Sequence, residues 1–235
     1  MARRVVRALA GLAAVTSLAV GGVGFLHTSV GKSLLMKIGG CPAAKVAPAD
    51  VERARDRSVV ATRGDAPAPA RPALGFRLDE TRAMDVRVWA TRRGITCVER
   101  REGTLVQCVN VPASALPGAL AGDAIYADVS FGFRASDGTL SAVTALSTRL
   151  TAEDGAARAR VLARALEERG TAPRVVGELS AEHLARGRWA TAQIEARWAD
   201  YLADVTATSA PDGVAVYERY TSGKTSDKTS DKSGT

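Results

Sequence analysis

Residues 97–108 read CVERREGTLVQC, two cysteines bracketing ten residues with a Glu-Gly pair at the centre. Two thiols so placed could ligate a metal, exchange electrons or form a staple. Structural zinc needs about four ligands, with pairs spaced two to four residues apart. The chain has three Cys and two His, and no pair has that spacing. A thioredoxin-like site wants Cys-x-x-Cys at a helix N-terminus, where the dipole favours thiolate. The staple fits best. With Glu102-Gly103 at a hairpin tip, residues whose numbers sum to 205 face each other, and Cys97 and Cys108 become direct partners. A four-residue loop, Arg101 to Thr104, makes them a non-hydrogen-bonded pair, close enough to bridge. Cys41 is then the odd thiol, free, lipidated or paired between chains.

Other candidates are weaker. His27 to Ser33 ends in Gly-Lys-Ser, but the first glycine of a phosphate-binding loop would have to stand where Leu26 is. Arg63-Gly64-Asp65 is an adhesion-type triplet, short enough to arise by chance. A hydrolase needs a nucleophile, a base and an orienting group. His183 is the only histidine of the body, and no Gly-x-Ser-x-Gly elbow occurs. The pairs Glu153-Asp154 and Glu167-Glu168 are adjacent on helices and do not face each other. No cofactor motif and no metal-ligand set is legible. Among the aromatics, Trp198, Tyr201, Tyr217 and Tyr220 form the candidate binding surface.

The elements that must position these residues follow from hydrophobic period and turn chemistry. Residues 49–60 predict a short charged helix. Residues 65–72 alternate Ala and Pro, a semi-rigid spacer before a body starting near Ala73. Residues 80–93 predict a helix with Met84, Val88 and Thr91 on one face, stopped by Gly94. Strands follow at 95–101 and 104–111. Residues 125–134 and 139–148 flank Asp137-Gly138 as a hairpin, with Phe133 facing Ala142, Phe131 facing Thr144 and Val129 facing Leu146. Thr151 to Asp154 resembles a capping box for a helix over 152–169, with Ala159, Leu162, Ala163 and Leu166 as its stripe. Ser180 predicts the N-cap of a one-turn helix carrying His183. Residues 189–205 fit both periods, since Ile194, Trp198, Tyr201 and Val205 recur at helical spacing. A long strand over 190–208, paired with 214–221, is the preferred reading. The fold class is therefore α+β: an antiparallel sheet built from hairpins with two main helices packed on it, preceded by an N-terminal membrane-spanning helix.

Charge and hydropathy place the body. The net charge of +7 is not a nucleic-acid footprint once it is located. Residues 1–45 hold six cations and no acid, whereas residues 46–222 hold 23 Arg against 23 Asp plus Glu. The neutral body gives no support to nucleic-acid binding. Residues 8–26 carry no charge, and 19 helical residues span roughly 28 Å, close to a hydrocarbon core. This is an uncleaved anchor or a signal cut after Ala19; the apolar run past Ala19 favours the anchor. Arg3, Arg4 and Arg7 before it favour an inside N-terminus. The domains are then 1–26, basic N-terminus and anchor or signal; 27–72, juxtamembrane segment and linker; 73–222, globular body; and 223–235, a disordered Thr/Ser/Lys/Asp tail. The expected protein is a single-pass inner-membrane protein of the bacterial envelope. Its body lies in the periplasm or outside the cell and binds an unknown envelope protein or ligand without catalysis. The rival is an exported hydrolase assembled from distant residues. The intact protein is predicted to gain mass on reduction and to offer only Cys41 for alkylation beforehand; a mass spectrum in which all three cysteines alkylate without reductant contradicts the staple.

Overall fold

The computed structural model describes residues 47–118, 125–187 and 189–225. The segment read as a membrane span, Cys41, the Gly-Lys-Ser stretch and most of the tail lie outside the described residues. Among the described residues no helix is long and apolar enough to cross a membrane.

The described chain runs α1 (Pro48–Thr62), α2 (Ala83–Arg92), β1 (Cys97–Arg100), β2 (Leu105–Pro112), β3 (Ile125–Phe133), β4 (Leu140–Leu150), α3 (Ala152–Glu168), β5 (Arg174–Val176), α4 (Ala181–Ala185), β6 (Thr191–Arg197), β7 (Tyr201–Ala210) and β8 (Gly213–Ser222). The architecture is α+β. Its eight strands form one antiparallel sheet in the order β1-β2-β3-β4-β8-β7-β6-β5. That order is a palindrome of two similar halves. Each half is a helix followed by a four-stranded meander, α2 with β1–β4 and α3 with β5–β8, and the halves join where β4 pairs with β8.

The core lies between the sheet and helices α2, α3 and α4. Val129, Phe131 and Phe133 of β3 point into it with Val143 and Ala145 of β4, Val214, Val216 and Tyr220 of β8, and Ala203, Val205 and Ala207 of β7. The stripe of α3 supplies Ala159, Leu162 and Leu166, fully buried. Thr151 caps this helix, its Oγ1 accepting from the Asp154 N–H at 3.0 Å. Gly155 lets α3 approach the sheet, because a Cβ there would stand 2.5 Å from Cγ1 of Val214. Phe76, Trp89 and Phe131 stack edge to face under α2, with centroids 4.8 to 5.8 Å apart.

Four expectations need correction. The helix at α2 buries Val86 and Ala90, whereas Met84 and Val88 are exposed. Its inner face is chosen by contact with Phe76 and Phe131, through Trp89, rather than by the longest apolar repeat. The β3–β4 register is one residue off the predicted one: Phe131 faces Val143 and Val129 faces Ala145, with an irregularity at Gly132/Phe133 that lets Phe133 face Leu140. A one-residue slip exchanges faces, so Ala142, Thr144 and Leu146 leave the core and Val143 and Ala145 enter it. The turn is also longer than Asp137-Gly138, with the Arg134 N–H donating to Thr139 O at 2.9 Å. The stretch 190–208 is two strands, not one. It folds back at Ala199-Asp200, where the Trp198 N–H donates to Tyr201 O at 2.8 Å.

The fourth concerns the Ala/Pro stretch, which is fastened to the body instead of spacing it. The Ala68 N–H donates to Asp200 Oδ1 at 2.7 Å, and Ala66 O accepts from the Ala199 N–H at 2.8 Å. The Tyr201 hydroxyl donates to Pro72 O at 2.7 Å. The chain then enters a polar clasp around Asp79. Its Oδ1 accepts from Arg134 at 2.7 Å and from the Ser222 hydroxyl at 2.6 Å, and Arg71 donates to Oδ2. Arg134 also donates to Lys224 O at 3.0 Å. The clasp thus ties the entry segment, the β3–β4 turn and the end of β8 together.

Burial works against the Asp79 carboxylate, yet the bonds from Ser222, Arg71 and Arg134 outweigh it and hold the group below its ordinary range. A depressed folded-state pKa gives stability that is complete above the unfolded value of about 3.9 and is lost as pH falls through the folded value. Asp79 and Arg134 are both 5% exposed. Asp79→Asn leaves that arginine buried without its counter-charge and is predicted to cost about 3–5 kcal/mol near neutral pH. It also flattens the acid limb of stability, measured by urea unfolding between about pH 5 and 2. An acid limb unchanged by the substitution contradicts this role.

Candidate functional site

Two polar assemblies offer chemistry, one sealed and one open. The sealed one sits between α3 and the sheet. Glu218 of β8 is fully buried; its Oε1 accepts from Arg158 Nη2 at 3.2 Å and its Oε2 from the Tyr220 hydroxyl at 2.8 Å. The Arg158 guanidinium lies 4.4 Å from the centre of the Tyr126 ring. Burial raises the Glu218 carboxyl, opposed by Arg158 and Tyr220. Burial, reinforced by the Glu218 charge, raises both Tyr126 and Tyr220. A carboxyl beside two phenols and a guanidinium resembles catalytic machinery. However, every member is under 8% exposed, so a substrate has no approach. Its effect is structural: it fixes α3 on β8 in one position, at a desolvation cost that apolar packing would not carry.

The open assembly lies on the sheet's other face, opposite α2, α3 and α4. There α1 crosses the strands. Its N-terminal half meets the β3–β4 turn, with Glu52 accepting from the Ala135 N–H and the Ser136 hydroxyl, both at 3.0 Å. Arg55 donates to Ser222 O and, at 3.1 Å, to Lys224 O. Just past the helix, Gly64 packs against the end of β6, where a Cβ would meet Arg197 O at 2.5 Å. The Arg63-Gly64-Asp65 triplet is thus held at its glycine by the sheet.

Attachment of α1 is thin. Only Asp56 and Val59 are buried among its 15 residues. Beneath it runs a groove of about 480 Å3, lined along the helix from Pro48 to Thr62 and across the strands from Arg101 to Arg197. Fourteen helical steps and four strand spacings both give a length of about 20 Å. The groove is therefore an elongated slot rather than a round cavity.

The floor of the groove, Leu105 to Arg197, is one row of directly paired residues, which Arg100 extends beyond the lining. Arg100 faces Leu105, Leu105 faces Gly132, Gly132 faces Ala142, Ala142 faces Thr221, Thr221 faces Leu202, and Leu202 faces Arg197. Five uncharged residues, three of them small, are thus flanked by arginines. Small side chains at Gly132, Ala142 and Thr221 leave the space that α1 does not fill. The next row is polar: Gln107, Ser130, Thr144, Arg219 and Asp204. In it Asp204 accepts from Arg197 and, at 2.9 Å, from Arg219.

The expected binding surface does not assemble. Tyr201 and Tyr220 are fully buried in the core, and Trp198 packs against that core with its Nε1 donating to Thr171 O at 3.0 Å. Tyr217 is 38% exposed on the opposite face, beside Leu146 and Thr206. His183 sits on α4, capped by Ser180 as expected, with Nε2 3.2 Å from Thr191 O. Cys97 and Cys108 form the disulfide, directly paired with Cα atoms 4.0 Å apart. Sequence reasoning missed Gly132, Ala142, Thr221 and the flanking arginines. Their signal was available in the alternate positions of strands already recognised, but only the correct registers align them. Among the described residues no three His, Cys, Asp or Glu side chains are grouped to hold a metal ion.

The chain matches no protein-family model, no curated protein and no solved structure.

If the sealed cluster is structural, its two charges are useful only together. Glu218→Ala is predicted to cost about 3–5 kcal/mol by leaving Arg158 buried alone, whereas Glu218→Leu with Arg158→Met is predicted to be neutral or stabilising. Denaturant unfolding decides: a double variant no more stable than Glu218→Ala contradicts the reading.

Proposed function

We propose that this is a membrane-tethered bacterial envelope protein whose body, outside the inner membrane, is a non-enzymatic binding domain. The observation that carries the binding role is the groove between α1 and the open face of the sheet. It falls within the usual size of a ligand site, about 300–1,000 Å3. It combines apolar and small residues with guanidinium groups, and its described lining residues include no paired nucleophile and base. The only described histidine faces a backbone carbonyl elsewhere. The hydrolase alternative has no described arrangement in its favour.

Support for export comes from two other features. The basic, then apolar N-terminus suits an anchor or signal. The Cys97–Cys108 disulfide suits an oxidising compartment, since cytosolic thiols are kept reduced. A phosphatase fused after residue 225, active only outside the cytoplasm, is predicted to be active. The protein released gently from its own membranes is predicted to carry a small-molecule adduct in native mass spectrometry. Gly132→Leu, which projects a side chain into the groove, is predicted to abolish that adduct. An inactive fusion contradicts the location, and an adduct-free wild-type protein contradicts the binding role.

A further inference from the structure

We infer that the groove takes a single-chain amphiphile with an anionic head, a long-chain fatty acid, its tail lying under α1 and its carboxylate at the β1–β2 hairpin tip. This rests on the binding role proposed above and names its ligand class.

Shape gives the tail. The groove is an elongated slot about 20 Å long. Its floor from Leu105 to Leu202 carries no charge, and Val51 and Val59 of α1 face that floor across the groove. A polypeptide in this space would leave its own amides facing Gly132, Ala142 and Leu202 without partners, which is costly. A polymethylene chain has nothing to satisfy and gains from leaving water.

Charge gives the head and its direction. The groove ends on arginines at both sides, but they differ in what they already hold. At the far end Arg197 and Arg219 share Asp204, and Arg197 lies 3.6 Å from Glu195. Between the ends, Arg55 pairs with Asp56 and Arg134 with Asp79. At the hairpin tip, Arg100 and Arg101 ion-pair with no carboxylate among the described residues. Glu99, beside Arg100 in sequence, holds Arg87 at 3.0 Å; Glu52, on the groove lining with Arg101, is bonded to the β3–β4 turn; and Glu102 belongs to the tip itself. Arg101 is thus the groove-lining guanidinium with no ion pair among the described residues, and guanidinium–carboxylate pairing is geometrically favourable.

The thin attachment of α1 provides entry. A chain threaded beneath a helix needs that helix to lift, and α1 is held by polar contacts with Val59 as its single buried apolar anchor.

The test uses the full-length protein, delipidated and held by an amphipathic polymer in place of detergent, with a dansyl-labelled fatty acid as reporter. Dansyl emission is predicted to rise on binding, and palmitate to displace the probe. Methyl palmitate, of the same length without the charge, is predicted to compete about tenfold more weakly. In the Arg100→Ala, Arg101→Ala double variant the acid loses that advantage while the ester is unaffected. Gly132→Leu is predicted to lose the probe at an unchanged unfolding midpoint, because a Cβ at Gly132 meets nothing nearer than 3.8 Å. Equal competition by acid and ester overturns the head assignment. Failure of the probe to bind folded wild-type protein overturns the ligand class. In that case a native adduct of other chemistry, blocked by Gly132→Leu, still upholds the binding role.

Discussion

The pairing of β4 with β8 is the contact on which everything else depends. Each half of the body is a helix and a meander, with one edge strand left unpaired where the other half begins. Unpaired strand edges and half-covered meanders are poor folds alone. Joining the last strand of each half removes two of four edges and creates a sheet wide enough to bury a core. It also creates a second face, and a chain of this size must do something with it. Helices α2, α3 and α4 cover one side. On the other side the protein uses polar rows, one crossing helix and a gap.

The two faces differ in how they are held. The inner face is close-packed and fixed by the Glu218–Arg158–Tyr220 cluster, which costs desolvation but allows only one seating of α3. On the outer face α1 rests on hydrogen bonds to a turn and to the end of β8. The Asp79 clasp is the hinge between them. It fastens the segment after α1 to β8, so α1 is anchored on its C-terminal side whether or not the helix lies on the sheet. Rigidity on one face and a loosely held cover on the other suit the binding role proposed for the groove.

How much of this was legible follows from where information is local. The first hairpin was readable to its register, because its tip, loop length and two cysteines all point to the same pairing. The second was readable as a hairpin, with its β3 core face correct. Its partner face was not, because an irregularity at Gly132/Phe133 and a long turn shift the count by one. Residues 189–205 misled because Ala199-Asp200 is a weak turn signal, made into a turn by contacts with Ala66 and Ala68 far away in sequence. The aromatic cluster failed for a local reason instead. Tyr217 and Tyr220 are three apart in a strand, so they must point to opposite faces. The groove itself was invisible. Its floor takes one residue from each of six strands, and such a row exists only after every register is known.

The claim that joins these points is that α1 is a separable cover over an empty row of the sheet. Amide hydrogen exchange on the ligand-free protein addresses it directly. The account predicts that amides of residues 52–62 exchange through an opening far cheaper than global unfolding, while β4 and β8 amides exchange only with global unfolding. If α1 amides are protected to the same free energy as β4 and β8, the helix is part of the rigid fold and the groove beneath it is only a packing gap.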